Sequence, residues 1–390
     1  MSPSQRAYGA GRWIGVACAA LAVMAGVAVG AVAILGEEHR SAAPVWRDSA
    51  VEDTAEPTAA PPSGKAAGRS ISLSATGDII MGNAPGKLPP NSGEGFFDSV
   101  RAALAADLVM GNLEEPLTDD TGAGKCGPKS TNCYQYRVPP SYAGHLRDAG
   151  FEVLNMANNH GHDYGAAGFR NTQQALTEHG LKHTGAPDEI TVVDVEGVRV
   201  AVAGFSSYSW SNSLVDIVAA AEVVEKAAGL ADLVVVQVHM GAEGADKRHV
   251  KPGTERYLGE NRGDPVKFSH AMIDAGADLI VGHGPHVLRA MEFYQGRLIA
   301  YSLGNFAGGA GTLRKDGPLG LGGVLKVSLT ADGTWAGGQL TSTYLNAGGL
   351  PALDDEHRGA EAVRELSESD FPTTGATLER TGKISVSSAG

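Results

Sequence analysis

The chain has 390 residues, 43% of them hydrophobic and 19% charged, which is enough apolar mass for one large domain or two smaller ones. Its formal charge of −13, with no basic stripe, excludes nucleic acid as a partner, because that surface needs clustered cations to release counterions. The 53 glycines point to many tight turns around short elements and away from a helical bundle.

Residues 1–12 carry Arg6 and Arg12, and Trp13 to Leu35 then run without a charge up to Glu37 and Glu38. As a helix, 13–35 would reach roughly 34 Å at about 1.5 Å per residue, so it is predicted to be an uncleaved transmembrane anchor. A cleaved signal peptide is the alternative, since Ala31-Val32-Ala33 resembles a cleavage site, although such signals carry only about 7–15 apolar residues. With the arginines kept inside, residues 1–12 are cytoplasmic and everything after the anchor is extracytoplasmic, a single-pass arrangement at the cell membrane. Cys18 lacks the aliphatic residue three places upstream that a lipoprotein signal carries, so lipidation is not expected. Residues 36–70, rich in Ala, Pro, Ser and acids, read as a disordered linker.

The folded part is predicted over 71–350. ISLSATGDII, DLVMGNLE and FEVLNMA are apolar runs of strand type, separated by the helical patterns FFDSVRAALAA and PSYAGHLRDAG and followed by GFRNTQQALTEHG. ITVVDVEGVRVAVAGF and VLRAMEFYQGRLIAYSLGNF each read as two strands joined by a Gly-containing hairpin turn. Between them, ADLVVVQVHMG and ADLIVGHG are buried strands, each preceded by a helix-like segment. This is an α/β pattern, and two sheets packed face to face with helices outside would accommodate both halves. Residues 351–390 add the polar helix EHRGAEAVRELSES and the β-prone GKISVS to the same domain. Cys126 and Cys133, close together in a polar loop outside the cytoplasm, read as a disulfide; two free thiols are the alternative.

Five apolar runs end in potential metal ligands. They lead to Asp78; to Asn112 and Glu114; to Asn158, Asn159 and His160; to His239 and Glu243; and to His283 and His286. A lone histidine or an NNH turn is ordinary loop chemistry. Five coincidences at strand ends, where α/β proteins build their sites, are not. The mixed oxygen and nitrogen set suits Mn²⁺, Fe, Zn²⁺ or Mg²⁺ rather than a thiolate-loving ion.

In GD at 77–78, NLE at 112–114, NNHGHDYG at 158–165, HMGAE at 239–243, GHGPHV at 282–287 and YSLGNF at 301–306, the chain resembles the CapA-type capsule (poly-γ-glutamate) synthesis proteins. That family is similar to the calcineurin-like metallophosphoesterases. The resemblance implies a four-layer α/β/β/α sandwich and a divalent metal centre at the strand ends. It also implies that Asp78, Glu114, Asn159, His239, His283 and His286 are metal ligands and that His160 is a general acid. Asp163 is the candidate to orient His160. Two motifs depart from the phosphoesterase pattern: no Asp-x-His follows the first strand, and His283 and His286 stand three apart rather than two. One ion or two therefore remain open.

The plainer readings stand beside these. His162 and Asp163 are also placed to support the turn or cap the next helix, Asn305 to shape the turn after its strand, and Arg137 and Arg289 either to grip an anion or to be surface charges. The function expected is capsule or poly-γ-glutamate biosynthesis, transport or processing at the membrane. A metal-dependent hydrolase-like site would act on an anionic polymer or on a phosphoester. The alternatives are a non-catalytic accessory subunit that binds polymer beside other subunits of a membrane synthase, and a metal-dependent phosphoesterase acting on an unrelated substrate.

Overall fold

The structure, a computed structural model, describes residues 69–386 apart from 123, 128, 129 and 132. The cytoplasmic N-terminus, the 13–35 anchor and nearly all of the linker expected from the sequence lie outside the described residues. Among those described, no helix is long and apolar enough to cross a membrane.

In chain order the first half is β1 (Ser70–Ile80), α1 (Arg101–Leu104), β2 (Leu108–Leu113), α2 (Ala143–Ala149), β3 (Val153–Asn155), α3 (Gly165–Glu178) and β4 (Lys182–Thr184). These four strands pair in parallel, β1 to β2 to β3 to β4. A second parallel set follows. It consists of β6 (Val198–Ser206), β8 (Leu233–His239), β11 (Leu279–His283) and β13 (Arg297–Ala300), in that spatial order, with α4 (Ile217–Leu230) before β8 and α5 (Pro265–Asp274) before β11.

Antiparallel strands extend both sets. β5 (Thr191–Val195) pairs with β6 through Glu196 and Gly197, and β12 (Met291–Tyr294) pairs with β13 through Gln295 and Gly296. All four turn residues have positive φ, which two-residue hairpin turns need to match the strand twist. β7 (Asn212–Ser213) joins β6, and β9 (Arg256–Tyr257) with β10 (Glu260–Asn261) forms a separate small ribbon. β14 (Asn305–Gly308) runs parallel beside the end of β1, and β15 (Leu321–Thr330) pairs antiparallel along its length. β16 (Trp335–Leu345), β17 (Pro351–Leu353), β18 (Thr377–Leu378) and β19 (Lys383–Ser385), with α6 (Arg358–Asp370) between β17 and β18, complete a ten-stranded sheet facing the seven-stranded one.

Strand alternation explains the layering. Ile71, Leu73 and Ala75 of β1, Leu108 and Met110 of β2, Val198, Val200 and Val202 of β6, Leu233 and Val235 of β8 and Leu279 and Val281 of β11 meet in one core between the sheets. The opposite parities face helices. Val109, Leu113 and Leu154 pack on Leu146 of α2 and Leu176 of α3, while Val234, Val236 and Ile280 pack on Val224 of α4 and Phe268 of α5.

One expected helix is nearly absent. FFDSVRAALAA forms successive turns, with Phe96 N–H donating to Gly93, Asp98 to Gly95 and Val100 to Phe97, before the four residues of α1. Phe96, Phe97 and Val100 are buried together, so packing rather than helical periodicity decides that segment. Cys126 and Cys133 are joined in a disulfide with their Cα atoms 5.6 Å apart.

Candidate metal centre

The rows of side chains that fill the inter-sheet core continue, at the carboxyl ends of the parallel strands, into polar residues. On β8 the row Leu233, Val235 leads to Gln237 and His239; on β11 the row Leu279, Val281 leads to His283. His239 and His283 are register partners on adjacent strands. On β2 and β3 the same parity delivers Asn112 and Asn155, which are also register partners.

Asp78 joins this row through an irregularity. Ala75 opposes Met110 while Asp78 opposes Asn112, so β1 spends three residues where β2 spends two. This bulge turns Asp78 toward the opposite sheet. Gly77 sits in it because a Cβ there would lie 2.0 Å from the carbonyl oxygen of Gly304.

Asp78 and Glu114 are fully buried, and His286 is largely so. His286 Nδ1 is 3.0 Å from Asp78 Oδ2 and 2.8 Å from Asn305 Oδ1, and its Nε2 is 3.6 Å from Glu114 Oε1 and 3.8 Å from Glu243 Oε2. Asn305 therefore supports a site side chain as well as shaping its turn. His283 Nδ1 lies 3.8 Å from Asp78 Oδ1, and His239 Nε2 lies 3.9 Å from Glu114 Oε1. His286 has φ 59°, a left-handed conformation uncommon outside glycine, at the residue whose ring bridges the two acids.

Behind this front an amide network holds Asp78. Asn112 Nδ2 donates to Asp78 Oδ1 at 2.8 Å, while Asn112 Oδ1 accepts from Asn155 at 2.9 Å and from Asn158 at 3.1 Å. Asn158 also donates to the Leu113 carbonyl and accepts from the His160 N–H, which ties the NNH turn to β2. On the other sheet, Gln237 Oε1 lies 3.2 Å from His283 Nε2, so a proton held there leaves Nδ1 facing Asp78 as a lone pair.

The charges are strongly coupled. Burial opposes ionisation of Asp78, but the hydrogen bond and charge of His286 outweigh it and hold the carboxyl at about 2. Glu114 is pushed well above the ordinary carboxylate range, by burial first and then by the charges of Asp78 and Glu243. His286 is raised well above an ordinary imidazole, because Glu114, Asp78 and Glu243 overcome its burial. Burial and the Arg262 guanidinium lower His239, and burial lowers His283 to about 4 although Asp78 opposes the shift.

The donor set fits a divalent cation. Carboxylate oxygens of Asp78 and Glu114 and a ring nitrogen of His286 lie within 4.8 Å of one another. Both Glu114 oxygens, Asn159 Oδ1 and His283 Nδ1 are buried without a hydrogen-bond partner, a costly state unless something else satisfies them. Neighbouring Glu115 is the contrast: equally buried, it accepts from the N–H groups of Met81 and Gly82 and is structural.

Asn159 and His160 lie at the edge of this centre. Asn159 Nδ2 donates to Glu243 Oε1 at 3.4 Å. His160 Nδ1 is 2.8 Å from Asp163 Oδ2 and 3.3 Å from Lys125 Nζ, so Nε2 is its free ring nitrogen. Burial lowers its pKa, partly countered by Asp163. Asp163 is buried, paired with Lys125 and held by the Tyr136 N–H, and so fixes the ring. His162 stacks on Trp210 with centroids 4.6 Å apart and packs on Phe169, a support role.

Neither arginine proposed from sequence as an anion grip lies free in the centre. Arg289 is buried in a bidentate pair with Glu255 and donates to the carbonyls of Lys247 and Ala242, which anchors the base of the β9–β10 ribbon. Arg137 packs over Tyr164 and reaches Asp120. The guanidinium beside the centre is Arg262, which sequence reasoning missed; it follows the short β10 rather than a long apolar run.

The chain belongs to the family described as bacterial capsule synthesis protein PGA_cap, which matches residues 72–310 and so includes every residue of this centre. It is 37% identical over 195 residues to "Capsule biosynthesis protein CapA" of Bacillus anthracis, covering 45% of this chain and 44% of that protein. It is 36% identical over 178 residues to "PGA biosynthesis protein CapA" of Bacillus subtilis strain 168, covering 41% and 43%. The matches thus span less than half the length of these relatives. The crystal structure of a 5'-nucleotidase precursor from Thermus thermophilus aligns over 78% of this chain and 60% of that one, at 14% identity and a TM-score of 0.41.

Proposed function

We propose that this chain is a membrane-anchored, extracytoplasmic protein of capsule or poly-γ-glutamate synthesis, carrying a hydrolase-like centre that holds one or two divalent ions. The anchor is residues 13–35, and the domain is a metallophosphoesterase-type α/β/β/α sandwich. Family membership supports the pathway, and the names of the two CapA relatives support an anionic polymer as partner. The observation that carries the site reading is Glu114, a fully buried acid whose two oxygens accept no hydrogen bond although His239 and His286 face it, beside Asp78, which His283 and His286 face in turn.

In this reading Asp78, Glu114, His239, His283 and His286 hold the ion, with Asn159 Oδ1 at its edge. A divalent ion bound there supplies Lewis acidity toward a phosphoryl or acyl oxygen and lowers the pKa of water. His160 delivers a proton to the leaving group from Nε2, because Asp163 occupies Nδ1 and sets the ring's orientation. The amide network fixes Asp78 through Asn112 and leaves both Glu114 oxygens without a hydrogen bond.

The test combines metal analysis with turnover. Chelator-stripped protein is expected to take up Mn²⁺ or Zn²⁺ at neutral pH, His239→Ala to impair uptake and His162→Ala to spare it. No uptake by the native protein overturns the centre. His160→Ala is expected to keep its metal and lower turnover by about 10²–10⁴-fold. Normal polymer yield and chain length from cells carrying a folded His160→Ala protein would instead favour an accessory subunit of a membrane synthase.

A further inference from the structure

Beside the proposed centre, five side chains from three segments form one continuous stack. The ring of His162 lies parallel to Trp210, with centroids 4.6 Å apart and a 9° angle, and Trp210 lies parallel to Tyr208 at 4.7 Å and 15°. The guanidinium of Arg262 sits 5.6 Å from the Tyr208 ring centroid and 5.5 Å from that of Tyr257. Such a column holds a planar cation in one orientation, since stacking and cation–π attraction both favour guanidinium over ammonium.

The backbone around Arg262 is equally constrained. Its N–H donates to the Glu255 carbonyl, and its carbonyl accepts from the Gly241 N–H, two residues beyond His239. Its side chain is divided among three directions. Nε donates to Glu260 at 2.9 Å and Nη2 to Glu243 at 2.9 Å, while Nη1 points at His239 Nε2, 3.4 Å away. Among the described residues that imidazole is the polar partner of Nη1.

We infer that Arg262 is the residue that grips an anionic oxygen of the substrate, phosphoryl or carboxylate, beside the metal centre. The inference rests on the site reading proposed above. His239 Nε2 has one lone pair; once it is given to a cation, it no longer accepts from Arg262. Nη1 is then a donor with a fixed direction and no acceptor, next to the position where a substrate oxygen would face the ion. The acids on Nε and Nη2 prevent the guanidinium from turning away. Arg262 is buried, so its field acts on the centre with little solvent screening.

The inference is tested by calorimetry on the full chain in detergent, loaded with Mn²⁺, against two probes. Phenylphosphonate stands for a phosphoester and γ-linked tetraglutamate for a polymer carboxylate. Arg262→Met and Arg262→Lys are expected to retain their metal and to bind at least one probe about 10- to 100-fold more weakly, the effect of one hydrogen bond to a charged group. The probe affected identifies the source of the oxygen. Tyr257→Leu keeps the arginine and both acids but removes the ring beneath the guanidinium and a hydroxyl that bonds Glu243, and is expected to weaken the same probe by a smaller factor, so the inference can be judged even where Arg262→Met fails to fold. Wild-type affinity for both probes in folded, metal-loaded Arg262→Lys, or no binding of either probe by the metal-loaded native protein, overturns this role and leaves the centre standing. Native protein that takes up no metal overturns the centre and this role with it.

Discussion

Two buried acid–imidazole clusters in this molecule look alike in composition and differ in how they are satisfied. Around Glu292, Oε2 accepts from the Tyr301 hydroxyl at 2.7 Å and pairs with His270 Nε2 at 3.0 Å, while Oε1 accepts from Thr374 at 2.8 Å. The His270 ring stacks on Tyr294 at 3.9 Å. Both oxygens of that acid are used, and the cluster ties α5 to β12 and to the segment after α6. Around Glu114 there are more imidazoles and another acid, yet neither Glu114 oxygen accepts a hydrogen bond. Composition alone would mark both as candidate sites. Unused lone pairs in a dry place distinguish the cluster proposed to hold a cation.

The sharpest way to break this comparison is to remove the structural acid. Glu292→Ala leaves the buried Tyr301 hydroxyl and Thr374 without an acceptor and His270 without its pair, and is expected to cost about 3–5 kcal/mol in denaturant unfolding. Metal uptake by the folded fraction is expected to be unchanged. Lost uptake in a protein of native stability would mean that the clusters have been assigned the wrong way round.

Proton linkage at His283 sharpens the comparison from the other side. Its pKa is about 4 in the folded protein and 6.5 in an unfolded chain, because burial disfavours its charged form. Between those values the unfolded state binds more protons, so this group makes the metal-free protein less stable as pH falls from 6.5 to 4. The loss is about 1.4 kcal/mol per pH unit, or about 3 kcal/mol across the window. His283→Gln is expected to flatten the stability profile by that amount over that range and to leave it unaltered above pH 7. Parallel profiles for the two proteins would sink the claim that His283 is held neutral.

The strand ends were legible in the sequence because alternation is local. Reading Val235 and Val281 as core residues fixes which face Gln237, His239 and His283 share with them, and the α/β order of elements follows from the same pattern. The hairpins were legible through Glu196–Gly197 and Gln295–Gly296. What was hidden depends on contacts between distant segments. Glu114 and Glu115 are neighbours of the same type, and only the folding of Met81 and Gly82 against Glu115 separates them. The bulge that redirects Asp78 depends on Gly304 pressing on Gly77. Arg289 reads in sequence as an anion grip or a surface charge, but Glu255 absorbs it; Arg262 carries no signal in the sequence, and its neighbours fold it against His239. The turns that replace a helix at Phe96–Val100 likewise answer to the burial of two phenylalanines.

The smallest expected effect has the opposite sign to the first and is the most telling. Glu114 is raised well above its ordinary value of 4.5 by burial and by Asp78 and Glu243, so its charge burdens the metal-free fold. The folded carboxyl keeps its proton at pH values where the unfolded one has released it, and the penalty therefore grows as pH rises above 4.5 and vanishes below it. Glu114→Gln is expected to stabilise the metal-free protein by about 1–2 kcal/mol at neutral pH, with no gain in acid, while abolishing metal uptake. Glu292 gives no such gain when replaced, since all of its capacity is already used. A Glu114→Gln protein that is less stable than wild type at pH 7 would show that Glu114 belongs with Glu292 as part of the scaffold; higher stability with metal binding lost is what an acid held in readiness for a cation requires.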